Sequence, residues 1–467
     1  MKKNFILLLL SLFILSMSNA QEKKEEKEQK QEKANKNLPI KPQRFYNLNT
    51  DTGSWMSLDV SPDGQTIVFD LLGDIYSIPI SGGKAKRITK GMAFDSHPKF
   101  SPDGESIVYV SDKSGGNNVW IRDLNSNDSI QITKEKDNQT AFADWSRDGD
   151  YLIVSKGRRN LKLHMYHKDG GSGVKLIDKP SSLKIVQPEV GVNDRYIWYA
   201  NRTNSWQYNA GLPQYQISKY DRETGEIKRE TSRFGSAFSP TLSPDGKSLV
   251  YGTRYEDKTA LRIRNLETGS ERWLAFPVQK DDQESQATMG VLPNMAFTPD
   301  SKNLILSFGG KINKIDIKEG KSYEIPFQIN ETIEVGPELK FDYEISDEKS
   351  MIVNQIRNPS ISPDSKKIAF TALNKLYLMN LDSNQITRLT SFEDETIEAM
   401  PDWSPDGKEI VFVTWNDNKG GSLFKVRSDG KREPLLLTQS NERRINGVYM
   451  NPKWNPGGDR IVFTIGD

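Results

Sequence analysis

The chain has no cysteine in its 467 residues. That excludes a disulfide framework, thiol catalysis and a lipid anchor on a cysteine, so packing alone must hold the fold. Histidine is scarce as well, with only His97, His164 and His167. No charge sign dominates: 64 Lys+Arg face 63 Asp+Glu, a net of +1. A general nucleic-acid binder would show a basic excess, so no nucleic-acid partner is expected. Long apolar runs are missing except at residues 5–15, and that run falls short of the ~20 residues needed to span a bilayer.

The one apolar run has another meaning. Lys2 and Lys3 precede it and the small residues Ser18-Asn19-Ala20 follow it. Together they read as a secretory signal peptide over 1–20, without the cysteine of a lipoprotein, so a periplasmic or secreted bacterial location is expected. Residues 21–42 begin "QEKKEEKEQKQEKANK", a charged spacer with too few apolar residues to bury anything.

What the chain has in abundance is one turn. It appears at Ser61-Pro62-Asp63-Gly64, Ser101-Pro102-Asp103-Gly104, Ser146-Arg147-Asp148-Gly149, Ser243-Pro244-Asp245-Gly246 and Thr298-Pro299-Asp300-Ser301. It returns at Ser362-Pro363-Asp364-Ser365, Ser404-Pro405-Asp406-Gly407 and Asn455-Pro456-Gly457-Gly458, with a degenerate copy at Gly191-Val192-Asn193-Asp194. Spacings are near the ~40–50-residue period of a propeller blade, stretched by insertions. Proline presets φ at the second position, Asp binds local backbone, and Gly supplies positive φ, so the motif is fold punctuation and needs no substrate.

Each unit runs from an extended lead-in ("DSHPKF", "EAMPDW") through the turn to an apolar strand ("IVF", "IVY", "LVY"). A third strand ("DIYSIPI", "NVWIRDL", "KLYLMNL") and a short fourth ending "RIT", "QIT" or "RLT" complete it. Four short antiparallel strands cannot bury both faces alone, but stacking them around an axis can. The expected fold is therefore all-β, a β-propeller of four-stranded antiparallel blades, with about eight complete repeats and a partial ninth. Two architectures fit: one eight-bladed ring, or a six-bladed propeller over 43–327 followed over 328–467 by an insertion and the start of a second propeller. Hydrophobic content of 35% suits sheets that expose part of their surface. The last unit stops after two strands. Residues 44–48, "RFYNL", are a candidate outer strand for a last blade, and the open ring leads to the expectation that further chain follows Asp467.

Catalytic signatures are sparse. There is no G-x-S-x-G elbow, no H-x-H, no H-E-x-x-H and no P-loop. His164 and His167 fall on a third strand, where residues three apart point to opposite faces, whereas zinc needs three or four converging ligands. His97 reads as a turn residue of the lead-in. "DGGSGV" (169–174) reads as a hairpin, and "SDKSGGNN" (111–118) lacks the carboxylate ladder of a calcium loop. No catalytic, cofactor-binding or metal-ligating residue is assigned. Trp206, Tyr208 and Tyr215 mark the fourth unit's insertion as the candidate exposed binding loop.

The repeats resemble the WD40-like "SPDG" propeller repeats of TolB, tricorn-type proteases and secreted bacterial amidohydrolases, over about residues 43–467. The stretches "GSWMSLDVSPDGQTIVFDLLGDIYSIPISGGKAKRIT", "HMYHKDGGSGVKLI" and "IRNPSISPDSKKIAFTALNKLYLMNL" are most similar to the amidohydrolase-linked group. That resemblance implies a non-catalytic N-terminal region giving access to, or docking substrate near, a hydrolase domain in cis whose zinc ligands would lie beyond Asp467. A TolB-like envelope module binding protein or peptide partners, and the propeller gate of a tricorn or prolyl-oligopeptidase-type peptidase, are the alternatives the resemblance implies.

Overall fold

The computed structural model describes residues 41–135, 139–205, 211–283, 290–338, 343–344, 346–438 and 447–466. The signal-peptide reading, and the spacer reading up to residue 40, therefore lie outside the described residues. Among those residues all regular structure is strand. The chain divides into two compact units, Met1–Leu339 and Lys340–Asp467.

The first unit holds six four-stranded antiparallel sheets, spanning residues 58–87, 95–131, 139–177, 184–229, 238–280 and 296–325. In the first, Leu58–Val60 pairs with Thr66–Leu71, which pairs with Asp74–Pro79, which pairs with Lys86–Arg87. The others repeat this order. The second strand of each is apolar without interruption because both sheet faces are covered, and side chains alternate between two neighbours. Ile107 and Tyr109 of the second blade pack with Val68 and Ile75 of the first. Val108, between them, packs with Trp145 and Leu152 of the third. The alternation proceeds around the unit: Ile197 and Tyr199 meet the third blade, Trp198 the fifth, Leu304 and Leu306 the fifth, and Ile305 the first. Ile67 and Phe69 of the first blade close the circuit against the sixth. Each such side chain contributes roughly 1.5–3 kcal/mol by leaving water.

The turns form a second closure. In Ser61-Pro62-Asp63-Gly64, the Ser61 hydroxyl donates to Asp63 (2.5 Å), the Gln65 N–H donates to the same carboxylate oxygen (3.0 Å), and the Thr66 N–H donates to Ser61 Oγ (2.9 Å). The Ser61 hydroxyl, with the Gln65 amide, holds the Asp63 carboxyl below its ordinary value. Gly64 adopts φ +73°. The turns also abut across blades. A Cβ on Gly104 would meet Pro62 at 3.3 Å, and one on Gly64 would meet Pro299 of the sixth blade at 3.2 Å. Where the third turn carries Arg147 in place of proline, its N–H donates to Asp194 of the degenerate fourth turn (2.8 Å). Thus the first unit is a closed six-bladed ring, with all six turns on one face.

The lead-in strands are less regular than an extended reading suggests. His97, Gln187 and Ser239 have φ of 54°, 50° and 52°, and each precedes a proline. The pairing register shifts across each of them. Proline has no N–H to give the ladder, so the strand bulges there and turns one residue toward the axis. Residues 44–48 do not complete a blade. Arg44–Thr50 pairs antiparallel with Phe327–Val335, whose first residues run parallel to Gly83–Lys84, in a separate three-stranded sheet. The sixth blade already has its own fourth strand, Ser322–Ile325.

The second unit contains two four-stranded sheets, over 357–388 and 397–436, and a two-stranded sheet of Val448–Trp454 with Ile461–Gly466. The same devices recur there: Asn358, Met400 and Asn451 precede prolines with φ of 49°, 54° and 51°.

Candidate functional site

Two residues before each turn, a side chain points to the axis of the six-bladed ring. These are Asp59, Lys99, Asp144, Glu189, Thr241 and Ala296, and all line one cavity of about 290 Å³. Its rim comes from the turns and the residues beside them: Pro62, Pro102, Pro244, Pro299, Phe100 and Trp145 are apolar, and Ser61, Ser101 and Arg147 are polar.

The wall is a charge relay between blades. Lys99 Nζ lies 3.0 Å from Asp144 and 2.7 Å from Glu189, each side chain nearly buried. Asp59 accepts from the Phe100 N–H (2.7 Å) and Asp144 from the Val190 N–H (2.7 Å), so each carboxylate also fastens the next blade's backbone. Asp402 does the same for Trp454 in the second unit (2.9 Å). Burial pushes the Asp59 carboxyl up to about 7, against the pull of Lys99 and the Phe100 amide. Burial also raises Glu189, with Asp144 adding to it. Burial weakens the Lys99 ammonium, but Asp144, Glu189 and Asp59 outweigh it and hold Lys99 above the usual lysine range.

Beneath this tier the residues four before each turn make a floor: Ser57, His97, Phe142, Gln187, Ser239 and Asn294. Gln187 Nε2 donates to the Leu292 carbonyl (2.9 Å), and the Ser239 hydroxyl donates to Gln187 Oε1 (2.8 Å). The Asn294 N–H donates to Ser57 Oγ (3.2 Å). Buried Asp70 accepts from the N–H groups of Ser57 (2.8 Å) and His97 (2.7 Å), and the His97 ring meets Phe142 edge-on at 4.7 Å. A separate small cavity of about 10 Å³, roughly one water, lies against Phe142, Gln187, Ser239 and Asn294 of this belt. The cavity of about 290 Å³ is a well lined by the turns.

The histidines do not converge. His97 sits buried in the bulge of strand Asp95–Phe100, not in a turn, because its backbone is committed to Asp70. His164 and His167 lie in strand Lys162–His167 and face opposite sides, with His167 edge-on to Tyr151 at 5.3 Å. No group of three or more His, Asp or Glu among the described residues is arranged to hold a metal ion. In the 111–118 loop, Asp112 accepts from the Phe94 N–H (2.8 Å), which is structural. Trp206 and Tyr208 lie outside the described residues. Tyr215 is not on an exposed loop: it is buried in the core against Phe238, with Arg202 over its ring at 5.1 Å. The well itself was missed, although aligning the repeats on the turn places its six residues in one column.

Residues 57–190 match the sequence family described as the tricorn protease N-terminal β-propeller domain. The Tol-Pal system protein TolB of Francisella tularensis subsp. tularensis is 24% identical over 280 residues, covering 58% of this chain and 54% of that protein. Tricorn protease homolog 1 of Streptomyces coelicolor is 27% identical over 102 residues, 22% of this chain and 10% of that one. Among solved structures, the tricorn protease superposes with a TM-score of 0.45 at 13% identity, over 89% of this chain and 43% of its own. A putative TolB from Agrobacterium tumefaciens gives 0.43 at 16% identity, over 53% and 87%. The chain is similar to TolB-like and tricorn-type propellers. It spans about half the length of the TolB relatives it matches.

Proposed function

We propose that this chain is a docking module, itself non-catalytic, that seats a polypeptide partner over the turn face with one side chain in the well. The observation that carries this reading is the convergence of one side chain from each of six blades, four of them charged, in a single cavity beneath the turns. A rim of prolines and aromatics with Arg147 among them, around a few converging charges, is the usual character of a binding site for such a segment. The reading of residues 1–20 as a signal peptide supports a periplasmic or secreted location for this activity, and the TolB relatives are named for the Tol-Pal system.

A second reading puts the same propeller beside a hydrolase domain, where it docks substrate. The match of 57–190 to a propeller domain of a protease, and the resemblance of the repeats to amidohydrolase-linked propellers, favour it. Both readings use the well, and both are tested together. Peptides are selected on the wild-type chain from a random library, then measured against Thr241→Trp and Ala296→Trp, which fill the well from different blades. Affinity is expected to fall at least about tenfold in both, with melting temperatures unchanged. Peptides that bind wild type and both filled chains alike would overturn the docking role of the well.

A further inference from the structure

We infer that a second pocket, on the third blade at the end away from the turns, is an oxyanion site for a phosphate or carboxylate group. Strand Tyr151–Gly157 starts at the Ser146 turn and ends at this pocket, so it opens on the face opposite the well. The cavity is about 550 Å³, and among the described residues Lys156, Lys162, Lys175 and Lys179 line it against a single carboxylate, Asp178. In a chain of nearly balanced charge this is a local cationic concentration.

Two features make it more than a solvated lysine patch. Lys162 is buried, and its ammonium donates to the carbonyls of Pro180 (2.6 Å), Ser181 (3.1 Å) and Leu183 (2.9 Å), so hydrogen bonds satisfy it but no carboxylate bonds to it. His164 is 9% exposed and lines the same cavity. Its Nδ1 lies 3.1 Å from the Lys162 carbonyl, which can only accept, so Nδ1 carries the proton. No hydrogen bond of Nε2 is found among the described residues, so it is the ring nitrogen left with a lone pair.

An oxyanion accepts hydrogen bonds and cannot donate one. To meet it, Nε2 must take a proton from solvent, and the imidazolium then donates to the bound anion. Burial keeps His164 below the ordinary histidine value, Lys156 and Lys175 push the same way, and the Lys162 carbonyl and Glu135 oppose them. A bound anion reverses that balance, so one proton is taken up on binding and affinity rises as pH falls, by at most about tenfold per pH unit. Lys156 is engaged with Glu135 (2.6 Å) and Lys175 with exposed Asp178 (3.0 Å), which leaves Lys175 and Lys179 as the adjustable arms.

Calorimetric titration of the full chain at low ionic strength tests this, using sulfate, a dianion at every pH used, beside inorganic phosphate and citrate. Saturable sulfate binding that strengthens from pH 8 to pH 6 is expected. The exposed double variant K175M/K179M should weaken it by about tenfold or more. H164N should lose the pH dependence, its sulfate affinity staying flat from pH 8 to pH 6. Tighter phosphate than citrate, or the reverse, upholds the site and names its source. Absence of saturable binding by all three ions at pH 6, or unchanged affinity in K175M/K179M, overturns the site. An H164N profile parallel to wild type overturns the proton linkage.

Discussion

Asp70 shows how one residue ties a blade to its neighbour and sets a pH limit. Its carboxylate receives the Ser57 N–H from its own blade and the His97 N–H from the next, with both bonds buried. Burial raises its pKa to about 7, which those two amides only partly offset. The unfolded value is near 3.9, so the folded state holds the proton more tightly. Stability from this group is therefore full below about pH 4 and is lost as pH rises through about 7. Relative to Asp70→Asn, which cannot titrate, the wild-type unfolding free energy should fall across that window by at most about 4 kcal/mol. Denaturant unfolding at a series of pH values measures it. Wild-type and variant curves that stay parallel from pH 4 to 7.5 would contradict the assignment.

At the scale of the element, the first residue of the third strand is a clamp on the connection to the next blade. Lys375 in the second unit repeats the arrangement of Lys162: its ammonium donates to the carbonyls of Glu393 (2.6 Å), Asp394 (3.3 Å) and Thr396 (3.0 Å). Asn118 and Gln216 occupy the same place and clamp with amides, to the carbonyls of Glu135 (3.1 Å) and Arg233 (2.7 Å). In these four blades the task is the same while the residue type varies, since a long donor reaches the loop carbonyls. Lys375→Met keeps the apolar stem and strands those carbonyls. It should cost about 2–3 kcal/mol and speed amide exchange around Thr396–Glu398, leaving the first unit's exchange unchanged. Unaltered exchange there would mean that the clamp contributes nothing.

For the whole molecule, ring closure concentrates the chemistry at the axis. Six lead-ins converge, so one side chain per blade suffices to build a charged wall and one more to build a floor. None of these groups is arranged as a nucleophile with its base, and Lys99 sits among the carboxylates where a metal would otherwise bind. Purified residues 21–467 should therefore show no zinc-dependent amide hydrolysis. Turnover that survives repurification and disappears with a chelator would refute the non-catalytic reading.

The repeat, the four-strand unit and the all-β propeller were legible in sequence because the turn's chemistry is local. Proline, aspartate and glycine at fixed offsets dictate backbone angles wherever they occur. Even the degenerate Gly191-Val192-Asn193-Asp194 makes the same closing bonds, Gly191 N–H to the Tyr196 carbonyl (2.8 Å) and Asp194 N–H to Gly191 (3.1 Å). What sequence could not decide was which blades meet. Tyr215 looked like part of an exposed aromatic loop, yet it faces inward because Arg202 and Phe238 come from distant positions to cover it. Asp59, Lys99, Asp144 and Glu189 looked like scattered surface charges, separated by 40 residues or more. Only the closed ring lines them up on one cavity and brings Lys99 within hydrogen-bonding reach of Asp144 and Glu189, because contact between strands of different blades depends on the rotation between sheets, which no local pattern encodes.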